Sequence, residues 1–404
     1  MEQERSDVER ESRFRDSLGL RRIIIPILLG IVGAGWLLYR DLMRPRFERS
    51  GDHRGGYEWT DPNGDRIADL SDPAEFRATD DGTGDYKLVT AREVLRSVDW
   101  TWQSTMFILL ALMATAIRDL GYIYRMRVLT DRSLSWRSSF NVVMLWEFAS
   151  SLTPSVVGGS GIAMFIIDRE GLSLGRSTAV VLVTAMLDEI FYIVTVPLVF
   201  VLVGMADLFP KQLDNAFWGL PIRTIFWIGY AFIVSMTLTV AYAIFYRPRA
   251  FKYLLLQVFR WRLLRRWRPA VIKVGDDIIV ASREFRGKRI GFWARSFGAT
   301  CFSWASRFLV INFIAAAFFP VSDHLLLYAR QLIMWVILLI SPTPGSSGVA
   351  EIAFSGFFRD LIPAVGFIGA VAILWRILSY YLYLFIGVIT LPRWLRRTAR
   401  GSVR

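Results

Sequence analysis

One short phrase occurs twice in this chain and limits its fold more than any other feature. Leu152-Thr153-Pro154 is followed by Ser160-Gly161-Ile162-Ala163, and Pro342-Thr343-Pro344 by Ser347-Gly348-Val349-Ala350. Both copies lie in apolar surroundings, where Pro and Gly break a helix and leave backbone groups in need of partners. About 27 residues beyond each Ser-Gly pair an ionisable residue stands inside an apolar run: Asp188 after the first copy, Arg376 after the second. Such pairs are ordinary loop punctuation when they occur singly. Here order, spacing and apolar setting recur together. Broken apolar segments in corresponding places of two halves point to a transporter's binding site.

The apolar residues make up 54% of the chain, with 29 Phe and 15 Trp, and gather in long runs. Runs of about 20 such residues read as membrane spans. They fall near 22–39, 100–124, 177–204, 223–246, 293–318 and 364–391. The interrupted stretches 139–167 and 325–359 are too broken to span and read as re-entrant hairpins. Irregular backbone at membrane depth survives only inside protein or along a wet cavity. The run at 22–39 lacks a small-residue cleavage site, so an uncleaved anchor is expected there.

Charge orients these spans. From Arg247 to Arg295 there are 14 Lys and Arg against three acids, and five Arg follow Pro392 with no acid. Short basic loops stay cytoplasmic. Counting spans from them puts both termini inside, in the inner or plasma membrane of a cell. The expected plan is a cytoplasmic segment at 1–21, an anchor at 22–39, an extracytoplasmic loop segment at 40–99, a transmembrane domain at 100–395 and a cytoplasmic tail at 396–404. A basic cytoplasmic segment at 247–292 interrupts the domain; with Phe251, Leu254, Leu255, Val258 and Phe259 among its Arg and Trp, it reads as an interfacial helix on anionic lipid headgroups. The net charge of +13 is thus a topology and lipid signal, with no nucleic-acid partner expected. Cys301 stands alone, which excludes a disulfide framework, and two His leave little room for histidine chemistry.

With that topology the repeat is inverted. The fold expected is an all-α polytopic membrane protein, an inverted repeat of transmembrane helices with two re-entrant helical hairpins entering from opposite faces. Several further residues resemble the flippase-like membrane domain of the lysylphosphatidylglycerol synthase (multiple peptide resistance factor) family, in its stand-alone form. In the first half these are Trp146-Glu147-Phe148, Thr153-Pro154, Gly158-Gly159, Arg169-Glu170-Gly171-Leu172-Ser173 and Ala185-Met186-Leu187-Asp188. In the second they are Pro342-Thr343-Pro344-Gly345, Gly348-Val349-Ala350-Glu351 and Leu374-Trp375-Arg376-Ile377-Leu378. The resemblance covers roughly 100–395 and implies lipid translocation between leaflets. With no synthase domain before Arg404, it implies a lipid made by a separate lipid-modifying enzyme.

Ionisable groups inside spans cost several kcal/mol and are functional-site candidates by default. The candidate substrate-binding residues are Arg118, Glu147, Thr153, Pro154, Asp188, Arg307, Pro344, Glu351 and Arg376. Several have a structural alternative: Arg118 can form an interfacial pair with Asp119, Glu147 and Glu351 can brace the hairpins, and Asp188 can pair with an Arg while the adjacent Glu189 points about 100° away. Arg suits a lipid phosphate because its planar fork binds oxygens in pairs. A carboxylate suits an ammonium group or a coupling proton. The chain has no G-x-x-x-x-G-K-[ST] phosphate loop, so transport is expected to be passive or ion-coupled.

Two readings stand apart. Asp61, Asn63, Asp65, Ile67, Asp69 and Asp72 offer oxygens at positions 1, 3, 5, 7, 9 and 12 of a calcium-type loop, Ile67 through its carbonyl, although Arg66 stands where such loops use Gly. Calcium is accordingly the one cofactor considered, against a plain acidic loop. The functional alternative is a membrane-embedded glycosyl- or phosphotransferase using Asp41, Glu48 and Asp52. The preferred function is a flippase or scramblase, not an enzyme, for an anionic, aminoacylated or polyprenyl-phosphate-linked lipid, with a homo-oligomer as a further candidate assembly.

Overall fold

The computed structural model describes residues 39–401, apart from 40–42, 44, 51–52, 63–67, 69–71, 91–92, 94–95, 97–99, 153–154, 211–219, 261–267, 340–348, 359 and 363–366. The expected anchor at 22–39, save Tyr39, lies outside the described residues, as does 1–21.

Within 40–99 a four-stranded antiparallel sheet stands where a loop was expected. Its strands are β1 (Pro45–Arg49), β2 (Tyr57–Trp59), β3 (Phe76–Ala78) and β4 (Tyr86–Thr90), in the order β1-β4-β2-β3. Strands of three to five residues carry too little alternation to stand out in sequence. What holds them is a small core of Phe47, Phe76 and Tyr86, with the two Phe rings stacked at 4.0 Å. Gly55 and Gly84 face each other across a bridge so close that a Cβ on either would sit 2.3 Å from a backbone carbonyl of the other strand.

The rest of the described chain is helical. In order come α1 (Trp102–Leu129), α2 (Trp136–Leu152), α3 (Ser155–Arg169), α4 (Leu174–Val203), the short α5 (Met205–Leu208), α6 (Ile222–Phe245), α7 (Pro248–Val258), α8 (Arg268–Phe285), α9 (Ile290–Phe318), α10 (His324–Leu339), α11 (Val349–Phe358), α12 (Phe367–Arg376) and α13 (Leu382–Gly401). A π-helical turn, Ile377–Tyr381, joins α12 to α13. Among the described residues, α1, α4, α6, α9 and the continuous stretch Val371–Thr398 are long and apolar enough to cross a membrane. Their ends are marked locally: the hydroxyls of Thr101 and Ser173 cap α1 and α4, and Gly204, at φ +89°, ends α4.

α1 and α9 run antiparallel and touch almost backbone to backbone. Trp100, just before α1, packs on Phe318 at the end of α9. Ser303 Oγ donates to the Arg118 carbonyl at 3.0 Å. A Cβ on Gly121 would lie 2.2 Å from Ser303 Oγ and 3.2 Å from the Ala299 carbonyl.

The order of a long helix, a broken pair and a second long helix occurs twice: α1, α2/α3, α4, and then α9, α10/α11, α12–α13. At 1.5 Å per residue the arms of the two pairs measure about 25, 22, 24 and 15 Å, all short of a hydrocarbon core of about 30 Å. Both breaks lie outside the described residues, including Thr153, Pro154 and Pro344. The open ends of α2/α3 share one end of the bundle. Asp131, in the α1–α2 turn, binds Arg176 at the start of α4 and Lys288 before α9, while Arg176 also reaches Glu284 at 2.9 Å. This end carries the Arg-rich segments 247–260 and 268–289, and it is the basic end of the bundle. The open ends of α10/α11 meet at the other end, where buried Arg330 donates to the carbonyls of Asp207 and Phe357 and to Asp360 at 2.5 Å.

The first broken pair is anchored to α13. Phe148 lies against the backbone of Gly387, where a Cβ would come 2.1 Å from the ring. At the basic end, Glu170 accepts from Trp394 at 2.7 Å and pairs with Arg397. Overpacking of this kind costs about 1–3 kcal/mol. Gly387→Ala is therefore expected to lower the thermal unfolding midpoint in detergent, and adding Phe148→Ala to recover part of the loss. Independent, additive losses would show that this contact is not tight.

Candidate functional site

A cavity of about 320 Å³ lies among α1, α2, α3, α4, α9, α10 and the α12–α13 junction. Four of the sequence candidates line it: Glu147, Asp188, Arg307 and Arg376. Arg125, Glu189, Trp304, Trp335 and Tyr380 join them, with Ser150, Ser151, Ser160 and Ser379 as small polar walls. Asp188 and Arg376, which follow the two copies of the repeated phrase, thus face one space.

Their partners differ from the simplest expectation. Asp188 is held by Arg125 through two hydrogen bonds, Nη1–Oδ1 at 2.5 Å and Nη2–Oδ2 at 3.2 Å. Trp304 Nε1 donates to the same carboxylate at 2.8 Å, and Arg125 also donates to Thr300 at 2.9 Å. Arg125 is the residue that sequence reasoning missed. It lies seven residues after Arg118, two turns along the same helix face, but the expected span stopped at 124 whereas α1 continues to Leu129.

Arg118 is buried inside the bundle. It is 2% exposed, and its guanidinium pairs with Glu147 and donates to the Tyr383 hydroxyl at 2.5 Å. Tyr383 in turn donates to Asp119 at 2.9 Å, which brings an acid and a base adjacent in sequence into one network. The expected Arg118–Asp119 pair exists only at 3.7 Å, because Glu147 takes the closer place. Arg118 therefore stands behind Glu147, outside the cavity lining, and orients it. The Tyr122 ring lies between the two arginines, 5.2 Å from Arg118 and 4.9 Å from Arg125. Glu189 accepts from Thr237 of α6 at 2.6 Å.

Arg307 has a different environment. Its guanidinium lies 4.3 Å from the Trp335 ring centroid and 5.0 Å from that of Trp304, and its buried Nε has no hydrogen-bond partner among the described residues. Arg376 is 7% exposed and lies over the Tyr380 ring at 4.7 Å. The π turn follows Arg376 directly and supplies Ser379 and Tyr380 to the lining; Tyr380 donates across to the Ser151 carbonyl at 3.3 Å. Such inserted residues recur at functional sites in helices.

The remaining candidates separate as follows. Glu351 lies in α11, and its side chain is not among those described. In the calcium-type loop, Asn63, Asp65, Ile67 and Asp69 lie outside the described residues; Asp72 caps a short helical turn by accepting from Ala74 N at 2.9 Å. Of the acids in the transferase alternative, Glu48 stands in β1 opposite Lys87, and Asp41 and Asp52 lie outside the described residues.

Removing one partner of a buried ion pair strands the other. Arg125→Ala and Asp188→Ala are each expected to destabilise the protein by roughly 3 kcal/mol, the low end of the usual range because the Asp188 side chain is 25% exposed. Arg125→Leu with Asp188→Leu should regain most of that, read by tryptophan fluorescence on heating in detergent. A double variant no more stable than the worse single one would refute the pairing.

The sequence profile of the family described as Lysylphosphatidylglycerol synthase TM region matches residues 86–387. A protein of Archaeoglobus fulgidus called a UPF0104 membrane protein is 26% identical over 281 residues, covering 66% of this chain and 80% of its own length.

Proposed function

Because the chain belongs to the lysylphosphatidylglycerol synthase transmembrane-region family, we propose that this multi-pass membrane protein moves a phosphate-bearing lipid between leaflets through the charged cavity. The acyl chains of such a lipid stay in hydrocarbon, but its headgroup cannot cross without replacing lost water contacts. A cavity lined by Arg307, Arg376, Asp188, Glu147 and Glu189 inside apolar helices offers both signs of charge to a headgroup.

The observation that carries the proposal is Arg307. A guanidinium always carries its charge and donates in up to five directions. Here two indole faces stabilise the cation, its side chain borders the cavity, and no carboxylate pairs with it among the described residues. Arg376, across the lining, gives a second fork, while Glu147 and Asp188 can meet an amine on the same headgroup. An aminoacylated phospholipid combines those two groups.

Transport also needs access from both sides. The antiparallel packing of α1 and α9, and the opposite ends at which the two broken pairs open, support an inverted repeat with re-entrant hairpins from opposite faces. Positive charge supports a cytoplasmic assignment for the basic end. In a Cys301→Ala background, Ser133→Cys and Arg169→Cys should then react with an impermeant maleimide from the cytoplasmic side and Ser322→Cys from the opposite side. Labelling of all three from one side would overturn the topology.

The functional test is flipping of a fluorescent aminoacylated or anionic phospholipid in proteoliposomes. Arg307→Ala is expected to slow it at least tenfold with an unchanged melting point, and Arg307→Lys to restore part of the rate, since an ammonium lacks the fork. A folded Arg307→Ala protein that flips lipid at the full rate would remove this residue from the mechanism.

A further inference from the structure

Away from the central cavity, four arginines line a single concavity of about 750 Å³ at the basic end: Arg247 and Arg249 at the α6–α7 junction, and Arg283 and Arg286 at the end of α8. Buried Ser282 and half-buried Ile279 complete its wall. All four arginines are exposed, and none of them pairs with a carboxylate among the described residues. The neighbouring cations behave otherwise: Lys252 is matched by Asp276 at 2.5 Å, and Arg176 and Lys288 by Asp131. The negative end of α8 accounts for cations at Arg283 and Arg286. The negative end of α6 does the same for Arg247, but Arg249 stands in the positive first turn of α7, and the hollow gathers all four. Like charges gathered without acids repel one another, and an anion in the hollow reverses that repulsion.

The surroundings identify the medium from which the anion comes. Arg247 follows the last residues of α6, a membrane-length helix, and Tyr246 beside it is 70% exposed and stacked on Tyr242 at 6.0 Å. Ile290, at the start of α9, is 84% exposed, and Tyr253 and Leu254 of α7 are exposed as well. Exposed aromatic and aliphatic side chains beside Arg at helix ends mark the level of lipid headgroups. Four positive charges in paired forks suit a phosphate monoester, which approaches two negative charges at neutral pH, better than a singly charged diester.

We propose that this concavity is a second lipid site, holding the phosphate-monoester headgroup of a lipid in the leaflet at the basic end. It stands independently of any lipid movement through the central cavity. Full-length protein in neutral detergent, titrated with phosphatidic acid, phosphatidylglycerol or phosphatidylcholine of matched chains, tests it by native mass spectrometry. Phosphatidic acid should bind tightest. Arg247→Gln with Arg283→Gln should weaken its binding at least tenfold, while Arg137→Gln with Arg223→Gln, which removes the same charge from other exposed positions, should change it less than twofold. Melting curves verify that both variants fold. Equal losses in the two variants would replace the site with diffuse attraction. Binding of phosphatidylcholine as tight as that of phosphatidic acid would overturn the proposal, and so would displacement of the lipid by equimolar inorganic phosphate, which would mark a soluble anion.

Discussion

Charge that has been taken out of water decides how this bundle is assembled. Between helices in lipid the hydrophobic effect offers little, since hydrocarbon outside the bundle is as apolar as the side chains within. Direction then falls to polar contacts, and α1 carries two of the strongest. Arg118 is matched by Glu147 of α2 and Tyr383 of α13, and Arg125 by Asp188 of α4 and Thr300 of α9. Four helices are thereby fixed around one. An arginine left alone there would cost several kcal/mol, so each pairing selects a neighbour and an orientation with it.

The same accounting separates structure from function among the charges. Arg118 and Arg125 are each paired with a carboxylate the fold provides, Glu147 and Asp188. Arg307 is stabilised by the faces of Trp304 and Trp335, which neutralise nothing, and no carboxylate pairs with it among the described residues. The carboxylates are oriented from behind, Glu147 by Arg118 and Asp188 by Arg125, while both still border the cavity. Small serines on the walls, among them Ser150, Ser160 and Ser379, provide polarity without filling the space.

Long apolar runs were legible because their signal is additive. The spans expected at 177–204 and 223–246 are the helices Leu174–Val203 and Ile222–Phe245. Short elements were not: the strands β1 to β4 gain their stability from Phe47, Phe76 and Tyr86 meeting across the sheet, which no local pattern encodes. Among site residues, a charge in an apolar run stood out, as Asp188, Arg307 and Arg376 did. Arg125 did not, because it falls in the last turn and a half of its helix, where an arginine looks like ordinary interfacial punctuation. Which acid answers which base was illegible for a different reason. The Arg125–Asp188 pair is 63 residues apart in sequence and depends on which helices pack.

The close approach at Gly121 also limits what motion is open to the molecule. Where Ser303 and the Ala299 carbonyl sit against bare backbone, one helix cannot slide along the other without first climbing over those atoms. Sliding is thus the costly coordinate and rotation the cheap one. α1 and α9 form a fulcrum, with one broken pair opening toward each end. Any rearrangement between the two halves is therefore expected to keep α1 and α9 in register and to turn about the line where they touch.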